Sequence, residues 1–421
     1  MSAGPEPPTT PTGTSSPVGK PVVRRRRGRS ALYSIIGVVV VVVIVVAVGA
    51  STNWYGLKTS ATSEASCATG VTLQGNGAQF VNPLMTTWTA AYHAQSGNLV
   101  NYVDGGSGTG ITDFSEHPPL IDFAVTDDPL TPTELSSMPS LPLTLPIVGG
   151  ALTIIYNLPG VTGHLNLTGA VLEEIYNGTI TTWNAAPIAS INPGVSLPSS
   201  TIVPVVRSDP AGTTYVLTDF LSQSSAWWAT NVGKGISVNF PHVAAETAVK
   251  GNSLLISTVA KTSYAIGYSD LTDVLTYSTP LQYAGIENPS GHYIVPTIAN
   301  TESAIHDKVA SLAGLPASTD TKDWFNVSMV NANGATDYPL ATFVYLYVYQ
   351  AAGAGFSPTL EKSQVIVQWI HYVLSPGAQA LANETTPAQL YYAALPSAVV
   401  QVDEAGVSTM TYNVATIPAC K

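Results

Sequence analysis

Read for hydrophobic periodicity, the chain is polar through residue 30 and then runs apolar and uncharged over residues 31–50. It is polar again over 51–66, and beyond that point short apolar runs alternate with segments of helical spacing. Twenty uncharged residues at helical rise would cross the roughly 30 Å hydrocarbon core of a bilayer, so 31–50 predicts one transmembrane helix. A long signal sequence is the other reading of that pattern. Further on, Phe80, Leu84, Trp88 and Tyr92 recur every fourth residue, which aligns them on one helix face for packing on a sheet. Residues 71–73, 99–103, 121–125 and 201–206 are short apolar runs that read as strands. Two longer runs stand out. Residues 145–157, broken by Gly149 and Gly150, have the length of a strand passing between two domains, and 338–349 is a candidate return crossing. Helical spacing appears again in 172–183, which turns at Asn177-Gly178, and in 223–231, 361–374 and 378–383, with Trp227 and Trp228 expected to pack. Strands alternating with helices predict an α/β protein with largely parallel sheets.

Charge narrows the partners. The tail over residues 1–30 lacks the apolar content to fold and carries Arg24, Arg25, Arg26, Arg27 and Arg29, so it reads as a disordered basic tail kept in the cytoplasm. Everything after residue 50 is then extracytoplasmic, with 51–66 as a Ser/Thr/Ala linker. From Cys67 onward 8 Lys and Arg face 24 Asp and Glu, a formal charge of −16, which argues against nucleic acid as a partner. Cys67 and Cys420 bracket this part. One disulfide tying the termini together suits an oxidising compartment; two free thiols and a lipid-modified Cys67 are the alternatives, the last opposed by Glu64, Ala65 and Ser66 before it. The seven histidines form no H-x-H or H-E-x-x-H spacing, and no Walker lysine follows a glycine loop, so no metal and no cofactor are expected.

The candidate chemistry lies at strand ends. Arg207 is the only arginine after the basic tail; it ends the 201–206 run and is followed by Ser208-Asp209-Pro210-Ala211-Gly212-Thr213, a turn with the small residues of a helix start. A guanidinium beside a helix N-terminus suits an oxyanion, and a surface arginine paired with Asp209 is the plainer reading. Ser107, in the glycine-rich turn 104–110, has a hydroxyl that could donate to such an anion; a flexible turn is the alternative. Asp127 occupies the same kind of strand end, and the alternative there is a helix cap.

These motifs, taken together in order, resemble the periplasmic phosphate-binding proteins of phosphate ABC transporters. The likeness runs from about residue 71 to 400 and includes Gly75-x-Gly77-Ala78-x-Phe80-x-x-Pro83-Leu84, Asn101-Tyr102, Asp127-x-Pro129-Leu130, Val148-Gly149-Gly150, Ile175-Tyr176-x-Gly178-x-Ile180-x-x-Trp183, Val205-Val206-Arg207-x-Asp209-x-x-Gly212-Thr213 and Ala265-Ile266-Gly267-Tyr268. The resemblance implies a two-lobed periplasmic-binding-protein fold of type II, each lobe a mostly parallel sheet flanked by helices. By motif position, residues 67–147 and 339–421 would form one lobe and 148–338 the other. It also implies phosphate held in the cleft by Gln79, Phe80, Ser107, Asp127, Arg207, Ala211, Gly212 and Thr213, with Asp209 steadying the guanidinium. Gln79 stands where the family often has Thr and Ala211 where it has Ser, so two hydroxyls are missing. The expected partners are inorganic phosphate and membrane permease subunits, the expected state is a monomer, and no catalysis is expected. An exported phosphatase would need a nucleophile with a positioned base, which is not visible. A binder of sulfate or molybdate, or a surface protein of this fold without ligand, are the other readings.

Overall fold

A fully buried apolar run must be covered on both faces, and the longest one here achieves that by lying inside a sheet. The computed structural model describes residues 68–418 apart from 242, 313, 354–358 and 387. The expected tail, the 31–50 membrane segment, the 51–66 linker, Cys67 and Cys420 lie outside the described residues. Nine strands share one sheet: β1 (Thr72–Gly77), β2 (Leu99–Val103), β3 (Phe123–Thr126), β4 (Pro142–Tyr156), β5 (Val203–Arg207), β6 (Thr247–Val249), β7 (Ala265–Asp270), β8 (Gln282–Tyr283) and β9 (Ala341–Tyr349). Their order is β2-β1-β3-β9-β4-β7-β5-β6, with β8 beside the end of β4. All residues of β4 are buried. From Pro142 to Ala151 it pairs with β9, and from Leu152 to Tyr156 with β7, so one strand belongs to both lobes.

The sheet is mixed, which corrects the expectation of mostly parallel lobes. β1 is parallel to β2 and β3, and β5 is parallel to β6 and β7, as strands returned by a crossover must be. β9 runs antiparallel to β3 and β4, and β4 antiparallel to β7, because β4 and β9 carry the chain across and back in opposite senses.

Five helices matter for the site and its support: α1 (Asn82–Ser96), α2 (Ser107–Ser115), α3 (Gly212–Ser224), α4 (Asn252–Lys261) and α5 (Leu360–Leu374). The predicted stripe holds: Phe80 and the α1 residues Leu84, Trp88 and Tyr92 are all buried, with the Tyr92 ring 5.1 Å from Trp369 of α5. Trp88 donates to the Ala378 carbonyl at 2.8 Å, so its indole N–H is satisfied inside the core. A second core gathers Ile154, Val205, Leu217, Phe220 and Ile266 in the other lobe. Trp228 is buried there, but Trp227 is 45 % exposed, which corrects the expectation that both pack.

Alternation along β9 divides its side chains between two faces. Val344, Leu346 and Val348 face the α1 and α5 core, whereas Phe343, Tyr345, Tyr347 and Tyr349 face the opposite side. That opposite side is covered by Ala304 and Ile305 of the helix Ile298–Ser311 and by Trp324 and Met329, together with Phe114 of α2. Within residues 298–332, Ala304, Ile305, Trp324 and Met329 thus cover this face of β9, while Val330 joins the second core and Ser328 donates to Asp219 of α3 at 2.6 Å. The glycine in the middle of β4 has a packing cause: a Cβ on Gly150 would overlap the Phe80 ring.

Candidate functional site

Three strand–turn–helix units deliver helix N-termini to the same place. β2 leads through Gly106 to α2, β5 through Ala211 to α3, and β6 through Gly251 to α4; none of these three positions makes a side-chain cap bond. Elsewhere Thr168, Thr297 and Thr359 cap their helices by accepting a backbone N–H through the hydroxyl. Gly and Ala have no side chain that can do this. The first amides of α2 and α3 are left for another acceptor, and the positive ends of three helix dipoles meet at one point.

That point is a tightly closed cleft lined by Gln79, Phe80, Gly106, Ser107, Asp127, Arg207, Ala211, Gly212, Thr213 and Asn252. All eight residues that the resemblance implied as ligand contacts line it. The lobes meet around it: a Cβ on Gly212 would overlap the Asp127 carboxylate, and Gly108 packs on Pro210.

Arg207 is 7 % exposed and fixed on several sides. Its Nε donates to Asp209 Oδ1 at 2.7 Å and Nη2 to Asp209 Oδ2 at 2.6 Å, a bidentate pair, while Nη1 donates to Thr213 Oγ1 at 3.3 Å and to Asn252 Oδ1. Burial pushes the Asp209 carboxyl up, but the hydrogen bonds and charge of Arg207 outweigh it and leave the group below the usual carboxylate value. The pairing with Asp209 is present, but on a buried arginine that lines the cleft rather than on a surface one.

Asp127 is 2 % exposed, and its Oδ1 has no hydrogen-bond partner among the described residues. Burial raises its pKa from 3.8 to about 8, against the opposing pull of Arg207. Ser107 Oγ accepts the Asp127 backbone N–H at 3.4 Å, Thr213 Oγ1 accepts from Arg207, and Gln79 Oε1 accepts the Asn252 N–H at 2.9 Å. In each of these side chains a protein donor occupies the acceptor, so what remains to offer a ligand is the Ser107 O–H, the Thr213 O–H and the Gln79 Nε2 amide. Phe80 lines the cavity while its ring packs against Tyr392, with centroids 6.2 Å apart. Ala211 is placed as expected, but its backbone N–H donates to the Ile236 carbonyl at 2.8 Å and is not free for a ligand.

Asn252 joins the cleft beside Arg207 with no signal in the sequence to mark it. Gly251-Asn252 is legible as a helix start, but nothing in the local pattern brings it beside Arg207. No group of three His, Cys, Asp or Glu side chains among the described residues is placed to hold a metal ion.

A PBP superfamily domain matches residues 61–377. The phosphate-binding protein PstS of Xylella fastidiosa strain 9a5c is 34 % identical over 316 residues, covering 73 % of this chain and 82 % of the relative. The chain belongs to the PstS phosphate-binding protein family. The PstS of Pasteurella multocida is 31 % identical over 331 residues, with 78 % and 88 % of the two chains covered. Among solved structures, a high affinity periplasmic phosphate-binding protein bound with phosphate matches with a TM-score of 0.63 at 20 % identity, over 82 % of this chain and 96 % of the other. A phosphate-binding protein from Stenotrophomonas maltophilia matches with a TM-score of 0.59 at 19 % identity, over 80 % and 94 %. At these identities the structural matches show the two-lobed fold, and the PstS relatives are binding proteins rather than enzymes.

Proposed function

We infer that this protein binds inorganic phosphate in the cavity between its lobes and delivers it to an ABC permease on the extracytoplasmic side of a membrane. The observation that carries this reading is the convergence of one buried guanidinium, uncapped helix N-termini and outward-facing neutral donors on a single unpaired carboxylate oxygen. Donors alone would serve any tetrahedral oxyanion. Asp127 supplies the choice, because hydrogen phosphate brings a proton that an ionised carboxylate accepts, whereas sulfate brings none and sets oxygen against oxygen at a cost of several kcal/mol.

Around this core we place the finer features. Residues 31–50 anchor the chain as a single-pass helix, Cys67 and Cys420 form a disulfide, and Asp209 holds Arg207 in register for the anion. Hinge motion about β4 and β9 opens and closes the cleft around one phosphate per monomer. The ligand-binding set is Gln79, Phe80, Ser107, Asp127, Arg207, Gly212 and Thr213, with Ala211 contributing wall but no donor.

Calorimetric titration with phosphate and with sulfate tests the reading. The expected result is saturable phosphate binding with sulfate weaker by at least about a hundredfold near pH 8.5, the equivalent of the several kcal/mol above. Absence of phosphate binding, or equal affinity for the two anions, would overturn it. A turnover assay on phosphomonoesters is expected to show no release of phosphate.

A further inference from the structure

Gln79 precedes α1 in the first lobe, yet its side chain is spent on the second. Its Oε1 accepts the backbone N–H of Asn252, the first residue of α4, at 2.9 Å. This amide is one of those at a helix start with no intrahelical acceptor. The receiving end is built into the protein. Asn252 is 3 % exposed; its Oδ1 accepts from Arg207 Nη1 and its Nδ2 donates to Asp270 Oδ2 at 3.1 Å. Gly251 has a φ of +83°, left-handed backbone that favours glycine, and a Cβ there would stand 3.4 Å from Gln79 Nε2. The Gly251 N–H donates to Asp209 Oδ1 at 3.1 Å, the carboxylate that also clamps Arg207.

We propose that Gln79 is an interlobe latch, a positioning residue that holds the closed cleft through the first amide of α4 and lengthens the stay of the anion. The proposal rests on reading the cavity as a phosphate site. The hydrogen bond forms only once the lobes have met, and in the open protein water satisfies both groups. It therefore acts on dissociation and leaves the encounter rate alone. Because Asn252 also holds Arg207, the latch couples closure to the orientation of the guanidinium. A shorter side chain at position 79 could line the cavity without reaching across it.

The test uses the full-length chain, with stopped-flow association and release of inorganic phosphate and an energy-transfer pair reporting the distance between the lobes. Gln79→Ala removes both the latch and an amide facing the ligand, so its release rate is expected to rise by at least about two- to tenfold, the range of one neutral hydrogen bond, and the latch's share is read from the closed fraction without phosphate. Gln79→Thr should behave as Gln79→Ala does. Without phosphate, Gln79→Glu, which keeps an acceptor at the same reach, should retain the wild-type closed fraction while Gln79→Ala lowers it. An unchanged release rate, or a loss confined to association, would overturn the latch. If the wild type binds no phosphate, the reading of the site falls, and the closed fraction alone decides the latch: equal values for Gln79→Ala and wild type overturn it.

Discussion

Asp127 is where selectivity and stability pull against each other. Unfolded, its carboxyl titrates near 3.9; in the closed fold burial raises it to about 8. The folded protein thus resists ionisation of this group. Its stabilising contribution is present below about pH 4, falls as pH rises, and is fully lost above about pH 8. Asp127→Asn removes the titration, so denaturant midpoints measured without ligand from pH 4 to 9 should fall less steeply for the variant, with a gain of about 1–3 kcal/mol at the alkaline end. A variant that tracks the wild type across the whole range would show that Asp127 is solvated when no ligand is bound. The same titration governs discrimination. Above about pH 8 the carboxylate repels sulfate, and below it the protonated carboxyl can donate to sulfate, so the phosphate-to-sulfate affinity ratio should shrink as pH drops.

Among the elements, α3 is the one most tightly committed to the cleft. Its first residue, Gly212, touches the Asp127 carboxylate of the facing lobe so closely that a Cβ would overlap it. Gly212→Ala should leave the helix intact, since Ala is a better helix former, yet keep the lobes from closing. Phosphate affinity is expected to fall at least about tenfold while stability to denaturant changes by about 1 kcal/mol or less. Equal losses in affinity and stability would mean that the contact supports the fold rather than closure. The contrast between Gly or Ala before the cavity helices and Thr before several others gives the element its function: a capped helix has less positive end left to offer.

For the whole molecule, the formal charge of −16 from Cys67 onward sets a field that repels the ligand before the local donors take over. Screening acts over about 10 Å at 0.1 M salt, so it weakens the distant surface charges more than the buried Arg207 and helix ends. Raising salt from about 10 mM to about 150 mM should therefore speed phosphate association and leave release nearly unchanged. Association that slows with salt would mean that the cleft's own positive potential reaches into solvent and outweighs the surface.

The sequence by itself determined the four-residue stripe of Phe80, Leu84, Trp88 and Tyr92, the two long buried strands and the strand-end placement of Ser107, Asp127 and Arg207, while the resemblance to the phosphate-binding family supplied the other residues that line the cleft. These follow from periodicity, from residue chemistry at strand ends and from motif order, all of which are local. Tertiary structure decided the rest. The mixed sheet and the packing of Ala304, Ile305 and Trp324 on the outer face of β9 depend on how β4 and β9 cross, which no local pattern contains. That Ala211 spends its amide on Ile236, that Asn252 joins Arg207, and that Gln79 reaches across the cleft depend on atoms distant in sequence. A hydrogen bond between lobes leaves no periodic trace in either partner; only the closed fold brings its two ends within reach.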